Sequence, residues 1–379
     1  GSDINLYKLF TEQCFNLLRS GGYCGIVIPS GIYTDLGTKQ LREMLFGQTT
    51  VTGLFCIENR KEVFEGVHRS FKFVIMSFEK GGHTERFPAA FMRHDVAELE
   101  RFPQEGAIGI SVPLVRRLAP DSLSVMEFKD PTDVQIAEKM LKFPLLGERI
   151  EDTWNVSFTR EFDMTNHSYL FKTAPGKGRL PLYEGKMFHQ FCSNWGEPKY
   201  WLDEEEARKS LLGKQSDEGQ FLDYQQYRLA FRDVAASTNE RAMIMTILPR
   251  NVFCPHTVSL ENVVATCLGQ QTRFYVLAAM NSFVVDYLLR MRVTNHLSFF
   301  FVYGVPVPRL TEKDAAFWPI VERAARLICT TAEFDDLAKE IFGGRTTAKT
   351  VGATDAADRA KLRAELDGLV AHLYGLTEE

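Results

Sequence analysis

Along the first eighty positions the apolar residues follow two alternating rhythms. Asp3 is placed to cap a helix whose apolar positions Leu6, Leu9, Phe10, Phe15, Leu17 and Leu18 favour one face, and Gly21-Gly22 closes it. The continuous apolar run Cys24-Gly-Ile-Val-Ile-Pro29 then predicts a strand buried on both faces of a parallel sheet. Residues 36 to 46 predict a second helix, 51 to 58 a second strand, and 71 to 78 a third strand rich in β-branched and aromatic side chains. Such alternation belongs to an α/β layer. Three strands are fewer than a doubly wound sheet normally carries, and no glycine-rich G-x-G-x-x-G loop opens a helix, so the sheet is read as lacking its N-terminal part. Its leading edge is then exposed and apolar, which predicts self-association or a partner covering it.

Beyond the sheet the rhythm changes. Residues 84 to 130 read as a connecting region with strands near 86 to 93 and 123 to 128. A helix starts after Asp130-Pro-Thr, with Thr132 as its cap and Ile136, Met140 and Leu141 as its buried stripe, and Pro144 ends it. From 150 to 310 short strands with turn signals carry many aromatics, among them Tyr169 and Trp195, followed by a helix over 274 to 291. The end is helical over 311 to 343, a flexible link over 346 to 353, and a last helix over 354 to 374. The expected domains are 1–82, 83–145, 146–310 and 311–379.

Composition bounds what such a chain does. With 45% hydrophobic and 25% charged residues over 379 positions, it has the make-up of a folded protein of two or three domains. Its longest apolar runs fall far short of the ~20 residues a membrane span needs. Seven cysteines without a Cys-x-x-Cys pair suit a reducing, cytoplasmic setting. His189 with Cys192 and Cys254 with His256 lack a matching second pair, so no metal is expected. Gly1-Ser2 reads as a remnant of tag cleavage. The net charge of −5 does not by itself suggest nucleic acid, but Arg290, Arg292 and Arg309 lie in a stretch, 287 to 310, that has no acidic residue. No serine-hydrolase elbow, zinc-protease helix, P-loop or kinase motif occurs. Asp152 with Asp163, and the run Asp203 to Glu206, read as surface charges and caps rather than a nuclease centre.

Whole strings carry a resemblance. Asp3-Ile-Asn-Leu-Tyr-Lys-Leu-Phe, Arg19-Ser-Gly-Gly-Tyr-Cys-Gly-Ile-Val-Ile-Pro-Ser30 and Val63-Phe-Glu-Gly-Val67 resemble the stretch that follows the Asn-Pro-Pro-Tyr motif in adenine-specific DNA methyltransferases of type IIG restriction-modification systems. Pro181-Leu-Tyr-Glu-Gly-Lys-Met-Phe-His-Gln-Phe191, Tyr227-Arg-Leu-Ala-Phe-Arg-Asp-Val-Ala-Ala-Ser-Thr-Asn-Glu-Arg-Ala242 and Leu248-Pro-Arg-Asn resemble that family's target-recognition region. The implied fold is a partial Rossmann-like methylase sheet, then an α+β target-recognition domain and C-terminal helices. The implied function is sequence-specific recognition of duplex DNA, as the C-terminal half of an N6-adenine methyltransferase. S-adenosylmethionine belongs to the complete enzyme; with neither Asn-Pro-Pro-Tyr nor the donor loop here, no cofactor and no methyl transfer are expected of this chain alone. Partners are double-stranded DNA and an upstream methylase half or partner chain. A non-catalytic specificity or scaffold protein docking a separate methylase or nuclease chain stays open, as does a stand-alone nuclease.

The resemblance places Phe64 where the family keeps an aromatic that stacks on the flipped base, against the plain reading of a hydrophobic anchor at a loop end. Candidate DNA contacts are Lys172, Lys177 and Arg179 in a Gly/Pro loop, together with Lys186, Arg228, Asn239, Arg241, Arg290 and Arg292. Arginine on guanine or asparagine on adenine discriminates bases by roughly 1 to 3 kcal/mol each. Arg232-Asp233 and Glu240-Arg241 also suit bracing pairs, and Arg232 is read as one.

Overall fold

The computed structural model describes residues 5–234, 240–291 and 296–377. The chain forms two compact units, residues 1–142 and 143–379.

In the first unit a helix, α1 (Leu6–Leu17), precedes a five-stranded sheet of β1 (Tyr23–Pro29), β2 (Thr49–Glu58), β3 (Lys72–Lys80), β4 (Arg86–Arg93) and β5 (Ile108–Ser111), with Lys39–Gln48 as a helix between β1 and β2. The spatial order is β1-β3-β2-β4-β5. β3 lies antiparallel between β1 and β2, pairing Met76 with both Ile26 and Leu54. Only β2 and β4 pair in parallel, and β5 closes the other edge antiparallel to β4. The sheet is therefore mixed, which corrects the expectation of a parallel sheet.

β1 is corrected too. It sits at an edge, and of its seven residues only Ile28 is buried, while Tyr23 and Val27 are exposed. An apolar run has the same appearance in a central strand and in an edge strand awaiting cover. α1 likewise leaves Leu6, Leu9, Phe10 and Leu17 more than half exposed.

Two further expectations change. Residues 123 to 128, most of them buried, join no strand: Leu123 turns the chain at φ 55° and Val125 donates its amide to the Tyr33 carbonyl. The helix Pro131–Met140 is capped by Asp130, not Thr132: the Asp130 carboxylate accepts the Thr132 and Asp133 amides, and Asp133 returns a bond to the Asp130 amide.

In the second unit an antiparallel sheet has the order β10-β9-β11-β6, where β6 is Phe158–Thr159, β9 is Arg228–Arg232, β10 is Met245–Leu248 and β11 is Val258–Glu261. A two-stranded ribbon joins β7 (Arg179–Leu182) to β8 (Tyr200–Asp203). Of the aromatics anticipated on strands, Phe158, Phe162, Phe188 and Phe191 are buried, and Phe162 packs with Tyr224, Phe253, Leu182 and Leu202. The helix expected over 274 to 291 is two, Gln270–Asn281 and Phe283–Arg290, because Ser282 leaves the helical backbone at ψ 155° and caps the second through its hydroxyl. Helices Phe317–Ile328, Asp335–Phe342 and Ala356–Leu373 complete the unit. The stretch expected to be a flexible link instead makes a helical turn, Ala348–Val351, with Ala348 buried and Ala353 donating its amide to the Arg326 carbonyl.

Candidate nucleic-acid interface

Phe64 lies in the loop that joins β2 to β3. Its ring is 44% exposed and meets Phe73 edge-on, with centroids 4.8 Å apart and planes at 80°. Phe73 is fixed in turn, packed with Phe55, Ile57 and Ala90 in the sheet's core. A surface ring propped on a buried one presents a flat apolar face at little cost in side-chain freedom.

Charged side chains ring this loop. Lys61 pairs with Asp95 at 2.6 Å and Arg69 with Glu62 at 3.0 Å. At its base the nearly buried Glu58 accepts from Arg60 at 2.8 Å and His94 at 3.1 Å. Burial alone lifts the Glu58 carboxyl, but these two hydrogen bonds outweigh it and hold the group below its ordinary value.

The basic candidates of the second unit fall into two groups. On the β7–β8 ribbon, Arg179 donates to Asp203 at 3.1 Å, and the Lys172 ammonium lies 3.8 Å from Asp203 and 3.9 Å from Glu206. Lys177, between them in sequence, is exposed. Lys186 pairs with Glu184 at 3.0 Å and is largely exposed. The second group faces inward. Arg241 stacks on Phe283 at 3.4 Å and reaches Asp367 at 3.5 Å. Arg290 pairs with Asp286 at 2.6 Å and donates to the Glu240 carbonyl.

Arg228 is corrected outright as a DNA contact. It is wholly buried, with its guanidinium on both oxygens of Glu161 and on the Val252 carbonyl. Its strand buries four of five residues, so a side chain there meets the interior and not a duplex. Arg232 donates to the Phe188 carbonyl, while Asp233, the partner expected for it, takes Arg160 and His296 instead. Arg309 lies over Trp154 and donates to the Leu145, Leu146 and Glu148 carbonyls. Asn239 and Arg292 lie outside the described residues.

Sequence reasoning missed one cluster. Arg160 donates to Asp233 at 2.5 Å, and the largely exposed His296 bonds the same carboxylate at 3.0 Å. The three residues are far apart in sequence and share no motif, so no local signal marks them. Tyr169 and Trp195, named among the strand aromatics, are instead exposed, Trp195 beside His189 at 5.1 Å between centroids.

At the end of β1 the Tyr7 hydroxyl and an Asp35 carboxylate oxygen lie 2.5 Å from where a Cβ on Gly31 would stand, so side chains crowd that turn. Among the described residues no group of three His, Cys, Asp or Glu side chains is arranged to hold a metal ion, and no helix is long and apolar enough to cross a membrane.

Residues 1–64 match the family described as Eco57I restriction-modification methylase. No curated protein sequence matches the chain. Among solved structures it is similar to the type IIL restriction-modification enzyme MmeI in complex with DNA, at 10% identity and TM-score 0.49 over 100% of this chain and 50% of that one. It is also similar to the type IIG restriction endonuclease BpuSI, at 12% identity and TM-score 0.37 over 99% and 50%. A third likeness, at 12% identity and TM-score 0.24 over 64% and 50%, is to the HsdS subunit from Thermoanaerobacter tengcongensis. The chain thus spans about half the length of the first two proteins. Over its first 64 residues, the chain is similar to the restriction-modification methylases.

Proposed function

We propose that this chain is the DNA-reading half of an N6-adenine DNA methyltransferase of a restriction-modification or phage-defence system. The observation that carries the reading is Phe64: the family match ends on it, and it is a half-exposed ring propped on a buried one at the mouth of a sheet. An enzyme that acts on a base inside a duplex must turn that base out and hold it, and a fixed aromatic face is what such a base stacks on. The sheet order, with an antiparallel strand inserted beside an exposed edge, suits the trailing part of a methylase sheet whose leading strands cover β1. S-adenosylmethionine then belongs to that upstream half, and no step of its chemistry is assigned to residues here.

In the second unit the exposed Lys177 and Lys186 are the candidate phosphate contacts, with Arg179 and Lys172 behind them in the ribbon. Arg241 and Arg290 hold the unit together rather than read bases. A second reading, a specificity chain that docks a separate catalytic chain, is favoured by the same apolar face of α1 and β1, which a partner's sheet covers as well as an upstream segment does.

A gel shift with duplex DNA at increasing salt tests the proposal. Expected is retardation that weakens as salt rises; no retardation at low salt overturns it, and metal-dependent cleavage by the chain alone revives the nuclease reading. In the complete enzyme, Phe64→Ala weakens capture of the flipped adenine, and equal methylation rates for variant and parent reject the role of Phe64.

A further inference from the structure

The ring of Phe64 is positioned by more than Phe73. Asn59, at the C-terminal end of β2, is wholly buried although its side chain is polar. Its Nδ2 donates to the Phe64 carbonyl at 3.0 Å and to the Val67 carbonyl at 2.9 Å, and its Oδ1 accepts the Phe64 amide at 3.0 Å. One side-chain amide thus satisfies both backbone groups of Phe64. The Asn59 backbone is tied as well, its amide donating to the Phe71 carbonyl and its carbonyl accepting from the Glu62 amide, each at 2.9 Å.

We propose that Asn59 is the positioning residue that sets the backbone of the Phe64 loop, and with it the pitch of the ring offered to a base. A loop has no ladder to satisfy its amides and carbonyls, so a loop that holds one shape needs another partner for them. Asn59 supplies that partner from the rigid end of a strand. The residue type follows from the three bonds. Aspartate keeps the acceptor but sets a charge against two carbonyls, leucine keeps the volume and loses all three bonds, and serine is too short to span them. The loop also turns through left-handed positions at Glu62 (φ 53°) and Gly66 (φ 76°), so its shape does not follow from chain stiffness alone.

This inference rests on the reading that Phe64 meets DNA, and the experiment separates the two. Amide hydrogen exchange is followed in the 379-residue chain and in Asn59→Leu, Asn59→Asp and Phe64→Ala. Expected is that Asn59→Leu speeds exchange of the residue-64 amide by at least about tenfold while β2 and β3 stay protected; Asn59→Asp, which retains the acceptor, keeps that amide protected. Phe64→Ala also keeps it protected, because the bonds run to the backbone and not to the ring. Retained protection in Asn59→Leu, or its loss in Phe64→Ala, overturns the proposal. Should Asn59→Leu not fold, Asn59→Ser, too short to span the three bonds, decides in its place: faster exchange of the residue-64 amide supports the proposal and retained protection overturns it. A Phe64→Trp chain adds a spectroscopic arm, in which Asn59→Leu shifts the emission to longer wavelength and lowers its anisotropy. A change in that emission on adding duplex DNA supports the DNA reading. No change, with the loop protected as expected, sinks the DNA reading and leaves the role of Asn59 standing.

Discussion

The two units differ most in an apolar sheet edge left open in the first and in ion pairs buried in the second, although Arg42 is buried in the first and Tyr169, Trp195 and Phe283 are exposed in the second. In the first, large apolar groups of α1 and β1, Leu6, Leu9, Phe10, Leu17, Tyr23 and Val27, face outward around an unpaired strand edge. In the second, two arginines turn fully inward, Arg228 onto Glu161 and Arg273 onto Glu261 at 2.8 Å, the latter pair almost without solvent contact. Hydrophobic surface held out of water is stabilising by roughly 25 cal/mol per Å², so the first unit carries a driving force for association that it has not used internally. The second has closed its core around ion pairs, and removing one partner leaves a charge stranded. Exposed apolar groups at an open sheet edge therefore point to where the chain joins something, while an arginine in the sequence does not by itself point to where it binds DNA.

The largest effect expected is at Arg228. Arg228→Ala strands the Glu161 carboxylate among buried residues and is expected to destabilise the second unit by about 3 to 5 kcal/mol in a urea titration. A loss of under about 1 kcal/mol contradicts the view that this arginine braces. Next comes the apolar face. Phe10→Lys is expected to reduce self-association in sedimentation experiments while changing stability by no more than about 0.5 kcal/mol, since the ring is already exposed. Unchanged association, or a strictly monomeric parent at high concentration, breaks the contrast between the units.

How much of this was legible in the sequence varies with the range of the interactions involved. α1, β2 and β3 follow from local apolar periodicity, and the structure places them within a few residues of the expected positions. What periodicity does not hold is pairing: β3 enters between β1 and β2 from later in the chain, so the edge position of β1 was invisible in its own apolar run. Ile-Gly-Ile-Ser is too short to show a period, so β5 leaves no mark in the sequence, and 123 to 128 carries the apolar residues of a strand without pairing as one. At the candidate site, the string around Phe64 draws attention to its loop, but the hydrogen bonds from Asn59 to that loop leave no mark, since a polar residue at a strand end reads as an ordinary turn signal. The burial of Arg228 depends on Glu161, 67 positions earlier, and no local pattern records that distance.

A smaller effect sharpens the account of the loop's base. Because the Glu58 carboxyl titrates below its ordinary value of 4.5 in the folded chain, its contribution to stability is complete above about that pH. It fades as pH falls through the depressed folded value. Glu58→Gln removes it, so the stability gap between parent and variant is expected to be constant at neutral pH and to shrink on acidification. A gap that widens in acid reverses the sign and contradicts the hydrogen bonds from Arg60 and His94. Smallest of all is Lys177→Ala, expected to lower affinity for every duplex alike and to flatten the dependence of log affinity on log salt by about 1. An effect confined to one base position contradicts a phosphate contact.

The most direct measurement is selection from a pool of random duplexes by the purified chain. If the second unit reads sequence for an adenine methyltransferase, successive rounds enrich one short motif with an invariant adenine. A recovered pool that cannot be told from the starting one, although the protein is folded and the salt low, contradicts the proposal that this chain recognises DNA sequence.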